Sequence, residues 1–523
     1  MPNVSIDSGE LKGLILPNGL RRFLGIPYAE PPVGDLRWRP PQPVSPWTNQ
    51  RSALDYGPSS MQKPPVATSI YSGGETNFSE DCLYLNVWTG SAEDTGRPVI
   101  VWLHFGAHQF GSASNTQYDG AALAAEGITV VSINWRLGRF GFLAHPDLTA
   151  ESSYGGSGNY GLMDQIAALQ WVQRNIAVFG GDPANVTLAG VSAGGNSVHA
   201  LRASPLAKGL FSKVIAMSGS GVAPPADGHG HPGNLSTLAA AEQAGTELAE
   251  ILGSPSIAEM RKLPAETIMA AKLPRMKGCW SFDIIPGAKI SLHVFDTGYP
   301  IVDGHVLRHT PLQAFLSGTV IDTPMLASNT GNEASGLPHI KIVTEYQAYV
   351  TKTFPSHAEN ILKLYPASTD NEARFASWDL IQDQIFVWST WTAARLQSRM
   401  LKSPVWYSRF LRAPPIAIGA SEREYAGAFH AADVMYAFGN IDKRSWDWTD
   451  DDRALSAALM RTWINFARTG NPNAEGEVSW PQLRLGSKTV KIWDIEPRTE
   501  LDGPAPDRMA FWDAYHGVDS CFI

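Results

Sequence analysis

The stretch Asn185-Val186-Thr187-Leu188-Ala189-Gly190-Val191-Ser192-Ala193-Gly194 decides how this chain is read. Its first six residues form a strand-compatible run, and its last five match G-x-S-x-G between that run and a helix-compatible segment. So tight a turn forces the Ser into a strained backbone conformation. Small residues two before and two after it let strand and helix approach, the hydroxyl stands exposed, and the next N–H points toward a developing oxyanion. A Gly-rich turn with a solvated Ser would match the same pattern in a chain with 48 glycines; the strand context favours a nucleophile.

Outward from the turn, the chain alternates strand-like and helix-like segments. Val99-Ile100-Val101-Trp102-Leu103 and Ile128 to Trp135 are apolar runs, the second rich in β-branched residues. Leu162, Ile166, Leu169, Val172 and Ile176 then trace one helix face. Lys213 to Met217, Thr323 to Ala327, Pro404 to Ser408 and Thr489 to Trp493 read as further strands. Apolar strands alternating with helices imply an α/β fold: a mostly parallel central sheet covered by helices on both faces. Residues 221–400 read as a mainly helical region with Pro-rich breaks, inserted over the sheet. No linker or repeat divides the chain, so one domain over 1–523 is expected.

Composition narrows the function. Of 523 residues, 44% are hydrophobic and 17% charged, against about a quarter in ordinary chains. Such a chain buries a large core, and disorder is excluded. A net charge of −9 argues against nucleic acid, which requires a basic face. No run approaches the length of a membrane span. The start, Met1 to Asp7, lacks the charged and apolar regions of a signal peptide. Cys521 stands third from the end, not fourth as prenylation requires. Cys82, Cys279 and Cys521 are sparse and odd in number, which suggests reduced thiols and an intracellular protein. Sequons at Asn3, Asn77, Asn185 and Asn234 point the other way, and a removed signal peptide would reverse the expectation. Gly156 to Gly161 is a formal GxGxxG. The preceding Pro146–Tyr154 stretch reads as loop, and Asp182 falls in a turn, so nucleotide binding is not expected.

A serine hydroxyl needs a base, usually His. His430 lies in Gly427-Ala428-Phe429-His430-Ala431-Ala432-Asp433, a small-residue loop. His229 and His231 sit in a Gly/Pro loop that reads as exposed, and His104 follows a strand where it can shape the site. The base in turn needs a carboxylate to hold its tautomer. Glu333 follows a short apolar strand and fits, although a Glu there is more often a plain surface carboxylate.

At this point a resemblance is specific. Phe23 to Pro32, Glu80 to Val87, Gly158-Asn159-Tyr160-Gly161, Phe179 to Pro183 and Phe466 to Asn473 resemble the motifs of the type-B carboxylesterase/cholinesterase family of α/β-hydrolases, from near residue 4 to near residue 515. The resemblance implies Ser192 as the acylated nucleophile, His430 as general base and then acid, and Glu333 as its orienting carboxylate. It implies an oxyanion hole from the amides of Gly106, Ala107 and Ala193. No metal or cofactor is implied.

Departures from the family pattern bear on substrate. Phe105 and Ala107 stand in place of two glycines of the oxyanion triplet, and Ala107 adds strain if its φ is positive. His108 replaces an aromatic with a titratable donor. Val191 replaces the usual acid of the elbow, removing a charge that would favour a protonated His430. The loop from Tyr56 to Ser79 has no Cys for Cys82 and no Trp, so choline esters are not expected. Phe105, His108, Val191, Trp280, Phe282, Phe295 and Phe429 are candidate pocket residues, although the four in the insertion and triad loops could equally be core aromatics. The expected activity is hydrolysis of a moderately large, apolar carboxylic ester through an acyl-enzyme, with a small-molecule ester as partner. An acyltransferase or lactone-forming enzyme sharing that acyl-serine is the alternative. A non-catalytic binding relative is a third reading, which the filled triad positions disfavour.

Overall fold

The computed structural model describes residues 1–219, 221–222, 235–272, 295–337, 339–417, 423–476 and 479–518. Its centre is an eleven-stranded sheet. In chain order the strands are β1 (Leu14–Ile15), β2 (Arg21–Pro27), β3 (Tyr84–Thr89), β4 (Arg97–Leu103), β5 (Thr129–Ile133), β6 (Gly181–Val191), β7 (Lys213–Met217), β8 (Met325–Thr330), β9 (Val405–Phe410), β10 (Val490–Trp493) and β11 (Arg498–Glu500). They lie in the order β11-β10-β9-β8-β7-β6-β4-β5-β3-β2-β1. From β5 across to β10 every neighbouring pair is parallel, and the pairs toward both edges are antiparallel.

The reason is visible in the strand sequences. Val99 to Leu103, Val186 to Val191 and all of β7 are buried. Strands buried on both faces need helices above and below, which is the arrangement of a parallel α/β sheet. Helix α1 (Tyr160–Asn175) buries the anticipated face of Leu162, Ile166, Leu169 and Val172. It also buries Asp164 completely, and Arg136 compensates that charge with paired hydrogen bonds of 2.8 and 2.7 Å. Helix α2 (Ala193–Ala203) follows β6 directly.

Two local expectations change. Pro146 to Tyr154 is not all loop, because Pro146–Glu151 forms a helix with Pro at its first turn and His145 capping Asp147 N. Asp182 lies at the irregular start of β6, where the register shifts before Val186. A small three-stranded sheet of Asn3–Ile6, Gly9–Lys12 and Arg51–Ser52 was not apparent from the pattern. Within 221–400 the described residues are mostly helical. They include α3 (Asp370–Gln382) and α4 (Trp388–Met400), joined by a π-turn over Asp383–Val387.

Candidate active site

Ser192 sits between β6 and α2 with φ 58° and ψ −118°. That is a strained conformation for a residue with a Cβ. The two glycines around it are obligatory for a steric reason. A Cβ on Gly190 would come within 2.5 Å of the Gly194 carbonyl, and one on Gly194 would lie 2.1 Å from Leu103 O. Strand and helix therefore touch backbone to backbone. The Ser192 N–H donates to Met217 O at 2.9 Å, which ties the turn to β7.

The approach of Gly194 to Leu103 and His104 brings the loop after β4 alongside the turn. Gly106, Ala107 and His108 have φ of 121°, 52° and 58°. A Cβ on Gly106 would lie 1.9 Å from Phe110 O, so only Gly fits there. Gly106 O accepts from Gln109 N at 2.7 Å and Phe110 N at 3.0 Å, closing a tight turn. Among the described residues, the amides of Gly106 and Ala107 donate to no acceptor. The Ala193 amide opens α2 and has no acceptor within the helix. His104 supports this loop: its ring stacks on Trp135 at 3.9 Å, and its Nδ1 lies 2.7 Å from Phe105 O. Burial lowers its pKa to about 4, so the ring is neutral.

Glu333 follows β8, two strands from β6, and is fully buried. His430 follows β9, and its Nδ1 lies 2.5 Å from Glu333 Oε2. The two loops are stitched together by a parallel bridge between Asn332 and Phe429. Asn332 N donates to Ala428 O at 2.8 Å, and His430 N donates to Ser335 Oγ at 3.3 Å. Glu333 Oε1 accepts from Ser218 Oγ at 2.7 Å, Asn329 Nδ2 at 2.9 Å and Thr330 N at 2.7 Å. Burial opposes ionisation of Glu333. The charge of His430, its hydrogen bond and those from Ser218 and Asn329 outweigh burial and hold the pKa below the usual carboxylate value. Among the described residues, His430 Nε2 is buried without a hydrogen-bond partner, and no group accepts from or donates to the Ser192 hydroxyl. In unliganded sites such bonds are often long and tighten only with substrate.

Several neighbours were not singled out from the chain. Ser218 immediately follows β7 with φ 47° and reaches Glu333 across 115 residues of sequence. Gln382 ends α3 and accepts from Glu333 N at 2.9 Å. The π-turn places the half-buried Phe386 ring 4.7 Å from the His430 ring. Asp433, one turn after His430, is buried with its Oδ1 unpartnered. Burial and then the charge of Glu333 raise its pKa to about 8. The only signal in the chain for Ser218 was its place at a strand end. The others act across contacts that no local pattern encodes.

The candidate pocket residues separate. Val191 and Phe429 are buried in one apolar cluster with Phe105. His108 is fully buried between Phe142 and Tyr299, with both ring nitrogens unpartnered. Burial pulls its pKa to about 3, so it is a neutral imidazole and not the charged group its residue type allowed. Trp280 and Phe282 lie outside the described residues. Phe295 opens a short helix, Phe295–Gly298, whose first side chains are likewise outside the description.

The central parallel sheet, with a strained Ser turn directly after β6 and a Glu and a His in the connections that follow β8 and β9, defines an α/β-hydrolase. The profile of the Carboxylesterase family matches residues 1–512, and the chain belongs to that family. It is 34% identical over 489 residues to fumonisin B1 esterase of Sphingopyxis macrogoltabida, covering 91% of this chain and 83% of that one. It is 34% identical over 520 residues to para-nitrobenzyl esterase of Bacillus subtilis (strain 168), covering 97% of each. Phenmedipham hydrolase of Pseudarthrobacter oxydans is 31% identical over 525 residues, covering 97% of this chain and 98% of that one. The solved structure of a PNB esterase superposes with a TM-score of 0.77 at 32% identity, covering 97% of this chain and 98% of the other. That of a thermophilic PNB esterase gives 0.79 at 31%, covering 97% and 99%. The protein is a carboxylic ester hydrolase of this family. Among the described residues, no helix is long and apolar enough to cross a membrane.

Proposed function

We propose that Ser192, His430 and Glu333 carry out ester hydrolysis in two steps. The observation that supports this most is the 2.5 Å contact of His430 Nδ1 with a buried Glu333, which leaves Nε2 as the ring nitrogen available to a substrate or nucleophile. Glu333 stays ionised and stabilises the imidazolium. Nε2 takes the Ser192 proton as Oγ attacks the ester carbonyl. The resulting oxyanion is received by the amides of Gly106, Ala107 and Ala193, for which no backbone acceptor is found among the described residues; losing one such donor costs roughly 3–4 kcal/mol of barrier. His430 then protonates the leaving alcohol, and water activated by the same nitrogen releases the acid.

The substrate is a moderately large, apolar ester. The buried apolar cluster of Phe105, Val191 and Phe429 supports that class, as do relatives named for fumonisin B1, para-nitrobenzyl and phenmedipham. We read residues 1–523 as one α/β-hydrolase unit. We place the protein inside the cell, on the support of a buried, unpaired Cys82 thiol whose pKa burial raises to about 12. The test is turnover of a p-nitrophenyl ester by wild type and Ser192→Ala. Loss of turnover in the variant is expected; equal rates overturn the assignment.

A further inference from the structure

Gln382, Phe386 and Thr390 stand four residues apart, from the end of α3 through the π-turn into α4. That spacing sets neighbours along one helix face. All three reach the centre. Gln382 Oε1 accepts from Glu333 N at 2.9 Å, and Thr390 Oγ1 donates to Gly219 O at 3.0 Å, next to Ser218. Phe386, between them, sets its ring 4.7 Å from the His430 ring, with the two planes at 41°. Among the described residues this is the only ring contact that either side chain makes. A π-turn is rare and occurs mostly at functional sites. Here it delivers an aromatic ring to the base.

That contact has a chemical consequence. On the mechanism proposed above, Nε2–H forms as the Ser192 O–H bond breaks. The imidazole is then a cation until it gives the proton to the leaving alkoxide. Glu333 meets this ring at Nδ1. The Phe386 ring carries a negative π-face and lies inside the distance of about 6 Å at which such a face attracts a cation. We infer that Phe386 is a positioning residue for the hydrolysis, holding the His430 ring and stabilising its cationic form through a cation–π contact. The inference rests on the triad reading and adds to it an uncharged source of imidazolium stability. Glu333 contacts His430, and Asp433 lies buried one turn after it. On the π-turn, Asp383 pairs with Arg508 at 2.9 Å and accepts from Tyr365 Oη at 2.9 Å. On β9, the Tyr407 hydroxyl donates to Asn329 Oδ1 and Arg409 donates to Thr330 O. Exchanging the ring at 386 removes none of these groups.

The experiment places 4-fluoro-, 3,5-difluoro- and 3,4,5-trifluorophenylalanine at position 386 of the full chain, beside Phe386→Leu and Ser192→Ala. Fluorine drains the negative π-face and hardly changes ring size, so packing is kept while the cation contact fades. The measurement is kcat/KM for a p-nitrophenyl ester against pH, whose acid limb reports protonation of the free base. The limb should move stepwise to lower pH as fluorines are added, by about 0.5 pH unit over the series. The plateau should fall about threefold with it, and Phe386→Leu should move both in the same direction. A limb that stays in place across the fluorinated series overturns the inference, whatever Phe386→Leu does, because a ring that only packs survives fluorination. A change confined to KM also overturns it and makes the ring a pocket wall. Failure of the underlying reading shows differently, as equal rates for wild type and Ser192→Ala, and removes the inference with it.

Discussion

The Ser218 hydroxyl donates a 2.7 Å hydrogen bond to Glu333 Oε1, the oxygen opposite the one that faces His430. Ser218 is buried and holds φ at 47°, so the fold maintains a strained residue to make this bond. Its own N–H donates to Ser328 O at 2.7 Å, next along from the bond of Ser192 N to Met217 O. A continuous hydrogen-bonded path thus runs from the Ser192 backbone through β7 to the Glu333 carboxylate, whose other oxygen contacts His430.

Ser218→Ala should weaken that carboxylate. A lost donor to a buried charged group costs about 1–3 kcal/mol of stability. The folded pKa of Glu333 lies below its ordinary value of 4.5. Its ionised contacts therefore contribute stability above about pH 4.5, which is lost as pH falls through the folded value. Removing Ser218 raises the folded value, so the acid unfolding midpoint should move to higher pH. Acid titration followed by circular dichroism checks this; an unmoved midpoint with unchanged melting temperature would deny Ser218 the role.

Gly194→Ala should be severe. The added Cβ would lie 2.1 Å from Leu103 O and 2.9 Å from His104 O, both backbone atoms that cannot rotate away. We expect a loss of about 1–3 kcal/mol or more and activity lowered along with it, because α2 must retreat from β4 and carry Ala193 from its place. A thermal melt combined with p-nitrophenyl ester turnover measures both.

Ala107→Gly should act in the opposite sense. Ala107 holds φ at 52° between two further positive-φ residues. Relief of about 1–3 kcal/mol of backbone strain exceeds the extra unfolded-state freedom of glycine, about 0.4–1 kcal/mol. A net gain of about 1 kcal/mol in urea unfolding is expected. A net loss would show that the Ala methyl packs usefully.

Asp433→Asn should flatten the pH dependence of stability. The folded pKa of Asp433 is raised from 3.8 to about 8, by burial and then by Glu333. Between those values the native state holds a proton that the unfolded state has lost, so wild-type stability declines as pH rises from about 4 to about 8. Asn cannot ionise and should remove that decline, worth on the order of a few kcal/mol. Melting temperatures at pH 5 and pH 8 decide it: matching slopes in wild type and variant would assign the decline elsewhere.

Legibility follows contact range. The strand positions of β7 and β10 agree with the apolar pattern to within a residue, because buried strands show as short runs dominated by β-branched and apolar residues. The helix at Pro146–Glu151 was hidden by its Gly/Ser-rich flank. The carboxylesterase family was legible because its motifs lie in short contiguous stretches. The neutral state of His108 was not, since burial between Phe142 and Tyr299 decides it and no neighbour in the chain shows that burial.

The turn at Ser192 was determined by the chain alone. Glycine two before and two after a residue between strand and helix is a local steric requirement, and the coordinates show the backbone contacts that impose it. Which of thirteen histidines faces which of fifty acids is another matter. His430 and Glu333 are 97 residues apart, and they meet because β8 and β9 are neighbours in a parallel sheet whose loops emerge at the same end. That adjacency is a property of sheet order, set by the burial of every strand at once; the family resemblance names the pair, but only the tertiary structure brings the two side chains into contact.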